Sequence, residues 1–113
     1  MNFAHDIVYF LGGAFVANAV PHFVSGVMGR PFQSPFARPP GKGLSTSTVN
    51  VVWGFFCFTV GSLVLGCVGS FDWKAMDQVI AAGLGAFLMS LVLARSFGRF
   101  HGGNLPAETR ASR

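Results

Sequence analysis

Three long apolar runs occupy most of the chain and restrict it to a membrane architecture. They cover residues 7–29, 49–69 and 75–97. A hydrocarbon core about 30 Å thick is crossed by about 20 consecutive apolar residues in an α-helix, so each run is long enough to span a bilayer. Charged residues make up only 11% of the chain. The sequence therefore predicts an all-α integral membrane protein: a single domain over residues 1–113, with three transmembrane helices in an antiparallel, up-down-up bundle.

The charged residues indicate how this bundle is oriented. Basic residues concentrate between the first two runs and at or beyond the end of the third: Arg30, Arg38, Lys42, Arg95, Arg99, Arg110 and Arg113. The opposite side carries Asp6, Asp72 and Asp77 against Lys74 alone. Because basic loops stay in the cytoplasm, we expect N-outside and C-inside. Residues 30–47 then form an inner loop, 70–74 an outer turn and 98–113 a cytoplasmic tail.

The start of the chain lacks the features of a cleavable signal peptide. Residues 1–6 carry no positive n-region, and no clear Ala-x-Ala site follows the first run. We therefore expect the first run to remain as a helix in a multi-pass protein of a bacterial cytoplasmic membrane. The net charge of +4 reflects orientation in this interpretation, and we expect no nucleic-acid partner because no folded basic surface is available.

A polar stripe on the first run is the best candidate site. Asn18, His22 and Ser25 share one helical face, and Pro21 leaves the carbonyl of Ala17 without its usual hydrogen bond. A buried imidazole is costly unless it is paired or neutral, and Asn50 of the second run is a further partner in reach. Two interpretations follow: interhelical hydrogen bonds worth about 1 kcal/mol each that lock the helices, or a polar step in a solute or proton path.

The sequence predicts no cofactor and no metal. His5 and His101 lie at other levels than His22, so a bis-histidine haem site within one chain is not expected; a haem or pigment bound through His22 alone or across subunits is the alternative. Cys57 and Cys67 lie about 15 Å apart along one helix, too far to form a disulfide. No Cys-x-x-Cys pattern or histidine pair at metal-ligand spacing is present.

Small residues on each run predict where the helices touch. Glycine and alanine let two membrane helices approach closely, and the candidates for helix packing are Gly13, Ala17, Gly54, Gly61 and Gly83. The short outer turn predicts that the second and third helices are antiparallel neighbours. Asp72 is the expected N-cap of the third helix, and residues 45–48 supply the N-cap of the second.

The inner loop combines prolines, phenylalanines and cations, namely Arg30, Phe32, Phe36, Arg38 and Lys42. One interpretation is a connector whose phenylalanines enter the membrane interface while its cations meet anionic lipid headgroups. The other is an extended strap that docks a partner subunit. Residues expected at the interfaces are Trp53, Trp73, Arg95 and Arg99. Alternatively, Arg95 lines an inner vestibule with His22 and Asn50.

These features favour a non-enzymatic role. No carboxylate pair lies within the runs, and no serine or cysteine has a base at motif spacing. Three spans also enclose no pore of their own. We therefore expect an accessory or structural subunit of a larger membrane complex, bound to other membrane subunits or to itself through its small faces and its loop. The alternative is a homo-oligomeric channel or transporter that moves a small solute or a proton along the Asn18, His22 and Ser25 face.

Overall fold

Three helices account for most of the structure, a computed structural model that describes residues 2–68 and 70–105. The helices are α1 (Phe3–Val27), α2 (Ser47–Cys67) and α3 (Met76–His101), and two short strands, β1 (Phe32–Gln33) and β2 (Leu44–Ser45), lie between α1 and α2. Each helix is long and apolar enough to cross a membrane. The predicted number of spans is thereby confirmed for the described part of the chain.

The helix ends differ from the apolar runs because capping residues, not hydropathy, set them. Helix α1 begins before Ile7, since the Asn2 side chain accepts a hydrogen bond from the backbone of His5 at 3.1 Å. It ends at Val27, two residues before Gly29, whose φ of +74° only glycine adopts readily. Helix α3 continues through Gly98 and stops at Gly102, which has a left-handed conformation (φ 78°). The predicted tail therefore begins as helix, and residues 106–113 lie outside the described range.

Helix α1 lies between the other two helices. It packs along α2 on one side and along α3 on the other, whereas α2 and α3 barely touch each other in the described part of the chain. Gly12 faces Leu65 and Gly26 faces Ser47, so α1 and α2 run in opposite directions. Our expectation that α2 and α3 are neighbours is wrong. Their connecting turn is short, but the α1 surface offers both of them closer packing.

Glycines mark the places where backbones meet. A Cβ at Gly54 would collide with the backbone of Phe23, and one at Gly61 with the carbonyl oxygen of Gly12. Between α1 and α3, a Cβ at Gly13 would collide with the Ala82 carbonyl, and one at Gly85 with the Phe10 carbonyl. The last two contacts define a single close crossing. On either side of this crossing α1 and α3 leave open grooves.

The inner loop folds into a small hairpin against the helix ends. Strands β1 and β2 pair antiparallel, with Phe32 opposite Ser45. The two buried hydroxyls of Ser34 and Ser45 are 2.6 Å apart, and the Ser34 carbonyl accepts from the backbone of Gly41 at 2.8 Å. The Thr46 hydroxyl then caps α2 by accepting from Val49. The proline-rich segment is thus compact, not an extended strap lying free of the helices.

The outer end is closed by side chains that hydropathy does not single out. The hydroxyl of the fully buried Tyr9 donates to the carbonyl of Val68 at 2.8 Å, and its ring packs edge-on against Phe71 at 5.1 Å. Asp72 is not the N-cap of α3, as we had expected. That position is Ala75, and the Asp72 carboxylate instead accepts from the backbone of Lys74 at 2.8 Å within the turn.

Candidate functional site

His22 and Asn50 form a buried hydrogen bond between α1 and α2. The His22 Nδ1 and the Asn50 Oδ1 are 2.8 Å apart, and the two residues are 2% and 0% exposed. The two hydrogens of the Asn50 amide nitrogen are shared among three backbone carbonyl oxygens at 3.0 to 3.2 Å, those of Phe32, Ser45 and Thr46. Because these bonds fix the amide nitrogen as the donor, its oxygen must accept from His22. Neutral His22 therefore carries its proton on Nδ1.

Aromatic rings surround the His22 imidazole on the side toward the inner loop. The rings of Phe32, Trp53 and Phe97 pack edge-on against it, with centroids 5.6, 6.3 and 5.8 Å away. These rings come from the hairpin, α2 and α3. Every described element except β2 therefore supplies a side chain at this point, and β2 supplies the Ser45 carbonyl.

The hairpin is also tied to the end of α3. The Gln33 amide oxygen and the His101 Nε2 are 2.8 Å apart, and the Phe32 ring stacks on the His101 ring with centroids 5.0 Å apart. We call His22, Asn50, Phe32, Gln33 and His101 the inner latch. It joins the loop to all three helices and satisfies the buried polar groups of the loop, which would otherwise be costly.

The polar stripe predicted on α1 does not form a continuous row. Asn18 points toward α2, where its amide nitrogen lies 3.5 Å from the Cys57 sulfur. His22 belongs to the inner latch, under the hairpin. Ser25 lines the groove between α1 and α3. The structure therefore brings His22 and Asn50 together and directs Asn18 and Ser25 elsewhere.

A groove between α1 and α3 lies next to the latch. Its volume is about 490 Å³, and its walls are mostly apolar, with Ser25, Ser90 and His101 as the hydrogen-bonding side chains. Ala17 and Pro21 line the same wall of α1. Ser90 already donates to the carbonyl of Ala86 within α3 at 2.7 Å. Phe32 and Phe97 line the groove toward its inner end, together with Gly98 and His101.

The predicted packing residues separate into two groups. Gly13, Gly54 and Gly61 are buried where backbones meet, and Ala17 is buried beside the groove. Gly83 is exposed, and a Cβ there would meet nothing within the chain. We expected Gly83 to pack against another helix of this chain, but it does not. Gly85, two residues later and on a different face of α3, makes the contact with α1.

The cations and phenylalanines of the inner loop differ in exposure. The three loop cations, Arg30, Arg38 and Lys42, are exposed. Phe32 is half-buried and packed in the inner latch, whereas Phe36 is 63% exposed and its ring packs against that of Trp53 with centroids 5.2 Å apart.

Trp53 and Trp73, both expected at a membrane interface, differ in exposure. Trp53 is half-buried, and its indole nitrogen is buried with no hydrogen-bond partner among the described residues. Trp73 is 80% exposed at the outer turn.

Arg95 and Arg99 lie on the outward side of α3. They share a cleft with Ser96 and Asn104, so Arg95 does not line a vestibule with His22 and Asn50 as the alternative interpretation required. Within residues 2–68 and 70–105, no group of three or more histidines, cysteines or carboxylates is placed to hold a metal ion.

The fold and the latch define a chain with three membrane-length helices held together at their inner ends by a buried polar contact. No protein-family model matches the chain, and neither a curated protein nor a solved structure is significantly similar to it. Its function is therefore inferred from its own residues. Sequence reasoning missed Tyr9, Gln33, Ser34 and Gly85; the first was detectable as the only tyrosine of the chain, placed within an apolar run.

Proposed function

We propose that this protein is a non-catalytic subunit of a larger membrane complex, oriented with its N-terminus outside and its C-terminus in the cytoplasm. The observation that carries this proposal is the exposure of α3. Only 6% of its most apolar stretch is buried, against 33% in α1, although the two helices have similar hydropathy. Its outward face presents Leu84, Phe87, Leu88, Leu91 and Val92, each at least 45% exposed.

The state of the polar groups favours this role over transport. A solute path needs polar atoms that are free to exchange partners, but the His22 Nδ1 and both ends of the Asn50 amide are bonded within the protein. The walls of the neighbouring groove are mostly apolar and offer only Ser25, Ser90 and His101 as hydrogen-bonding side chains. The latch is thus suited to holding a rigid shape, and a rigid three-helix layer is suited to packing against other subunits.

The outward face of α3 is the surface that we assign to a partner subunit. Gly83 lies exposed on this helix with open space around its Cα, which would let a partner helix approach closely. The exposed Phe36, together with Trp53 and Phe56, lines a second apolar cleft at the base of α2, beside the basic loop. The loop cations Arg30, Arg38 and Lys42 meet an acidic partner surface there, or attract anionic headgroups in general without holding a defined lipid.

A matched pair of glycines allows a sharp test. Gly83 on α3 and Gly66 on α2 are both exposed, and a Cβ at either meets nothing in the chain, so phenylalanine at either position leaves the fold intact. Tagged wild-type, Gly83→Phe and Gly66→Phe proteins are extracted gently from the native membrane and analysed by native mass spectrometry. We expect other polypeptides with the wild type and with Gly66→Phe, and their loss with Gly83→Phe.

Two results would contradict the proposal. A wild-type protein that is recovered only as a homo-oligomer would remove the partner, and equal recovery of partners with both variants would remove α3 as the contact. An absorption spectrum of the same sample reports a bound haem or pigment, which we do not expect.

A homo-oligomeric channel or carrier is the second candidate. It is favoured by the groove between α1 and α3, where the Ser25 and Ser90 side chains face an opening that a second copy would close. In proteoliposomes this role predicts solute or proton flux that Ser25→Ala lowers. Absence of flux from the purified wild-type oligomer would exclude it.

A further inference from the structure

We propose that Arg95 and Arg99 form a binding site for the phosphate of one anionic phospholipid at the inner end of α3. The site is a cleft of about 550 Å³ lined by Arg95, Ser96, Arg99 and Asn104. The two arginines are one helical turn apart, so their side chains project from the same side of α3. This inference rests on the membrane insertion in the proposed function, but not on assembly with other subunits.

The Arg99 Nε donates to the carbonyl of Ser96 at 3.3 Å, and its guanidinium lies 5.3 Å from the centre of the Phe100 ring. Its two terminal nitrogens make no hydrogen bond among the described residues. After the helix, the chain turns back at Gly102, and the Asn104 side chain donates to the carbonyl of Arg95 at 2.9 Å. Gly103 donates to the carbonyl of Gly98 at 3.0 Å. The carbonyls of Arg95 and Gly98, which a C-terminal arginine could otherwise cap, are therefore bonded by the turn, and one wall of the cleft is fixed.

The arginine pair has no carboxylate nearby among the described residues. Asp77 lies at the start of α3, about 27 Å from Arg95 along the helix axis, and Asp6 lines a groove with Asp77 at that same end. Asp72 precedes α3, and the fourth acidic residue of the chain, Glu108, lies outside the described range. Two adjacent guanidiniums that have no carboxylate partner within residues 2–68 and 70–105 favour an anion, and a phosphate accepts paired hydrogen bonds from arginine.

The surface next to the cleft suits an acyl chain. Leu88, Leu91 and Val92 lie on the same face of α3 as the arginines, one and two turns deeper in the span, and they are 45%, 52% and 57% exposed. A free phosphate ion would use only the arginines. A phospholipid would use both the cleft and this apolar face, and for this reason we assign the site to a lipid.

The test compares two double variants that remove the same charge from the same end of the protein. Arg95→Gln/Arg99→Gln alters the cleft, and Arg38→Gln/Lys42→Gln alters the exposed loop. Each protein is placed in nanodiscs of equal parts phosphatidylglycerol and phosphatidylcholine, released into mild detergent and examined by native mass spectrometry. Circular dichroism confirms that the helices of each variant are retained.

We expect the wild type and the loop variant to retain one phosphatidylglycerol, and the cleft variant to retain at least about tenfold less, since charge-assisted hydrogen bonds are the strongest polar contacts. Arg95→Lys/Arg99→Lys should retain an intermediate amount because lysine lacks the paired geometry. Equal losses in the two glutamine variants, or equal retention of phosphatidylcholine, would overturn the site. Displacement of the lipid by millimolar inorganic phosphate would overturn its assignment to a lipid.

Discussion

The imidazole of His22 and the amide of Asn50 meet 2.8 Å apart, and through this contact α1 is bonded to the side chain that organises the whole inner loop. The three backbone carbonyls that the Asn50 amide reaches belong to the hairpin and to the residue before α2. One asparagine therefore holds the loop, α1 and α2 in register. The same bonds leave the His22 Nδ1 with no freedom to exchange partners.

Replacing Asn50 tests whether this contact is structural. In Asn50→Ala, the buried His22 Nδ1 and the carbonyls of Phe32 and Ser45 lose the side-chain amide as a partner, so the free energy of unfolding should fall by about 1–3 kcal/mol. The Thr46 carbonyl keeps its bond to the backbone of residue 50. The loop should also detach from the helices and expose the Lys42–Gly43 bond to trypsin. Trypsin does not cut after Arg30 or Arg38, since each precedes a proline. Thermal unfolding in detergent and limited trypsinolysis measure the two effects.

Thr59→Ala is the matched control for Asn50→Ala. The Thr59 hydroxyl is on the same helix and donates at 2.9 Å, but only to the carbonyl of Phe55 in its own preceding turn, and the residue is exposed. Its replacement should change stability by less than about 0.5 kcal/mol. Equal stability and equal tryptic cleavage in the two variants would show that the inner latch does not hold the loop.

Gly85 and Gly83 test the single crossing of α1 and α3. Gly85→Ala places a methyl group against the Phe10 carbonyl, and overpacking of this kind costs about 1–3 kcal/mol. Gly83→Ala meets nothing and should be neutral or stabilising by up to about 1 kcal/mol through helix propensity. Loss of helical circular dichroism on heating in detergent gives both values. If the two variants unfold alike, α1 and α3 do not cross at Gly85.

Hydropathy predicted the three membrane-length helices because span length depends on the sum of many side chains. The arrangement of the helices could not be predicted in this way. Gly83 and Gly85 are both small residues in the same run, and only the geometry of α1 decides which of them is buried. Asn50 was one of several partners in reach of His22, and it is the one that bonds because two hairpin carbonyls and the Thr46 carbonyl hold its amide nitrogen and leave its oxygen toward the imidazole. Gln33, a polar residue in a proline-rich loop, gave no sign that it would be buried.

Tyr9 tests the closure of the outer end. Tyr9→Phe removes the hydrogen bond to the Val68 carbonyl but keeps the ring packed against Phe71. The loss of one such bond should lower the free energy of unfolding by about 0.5–1.5 kcal/mol. Tyr9→Ala also empties a fully buried site, so it should lower the free energy of unfolding by about 3–5 kcal/mol, as large aromatic truncations do. Denaturation of both variants in the same detergent measures the difference. Equal losses would mean that the hydroxyl, not the ring, accounts for the stabilisation.

Cys67 reports the orientation of the protein in its membrane. It is exposed at the end of α2 beside Tyr9, whereas Cys57 is fully buried. If the basic loop is cytoplasmic, a membrane-impermeant maleimide should label the wild type in intact cells, and Cys67→Ser should abolish the label. Lys42→Cys in the Cys67→Ser background places a thiol on the inner loop and should react only after the membrane is permeabilised. The reverse pattern, with labelling of the loop thiol in intact cells, would invert the proposed topology.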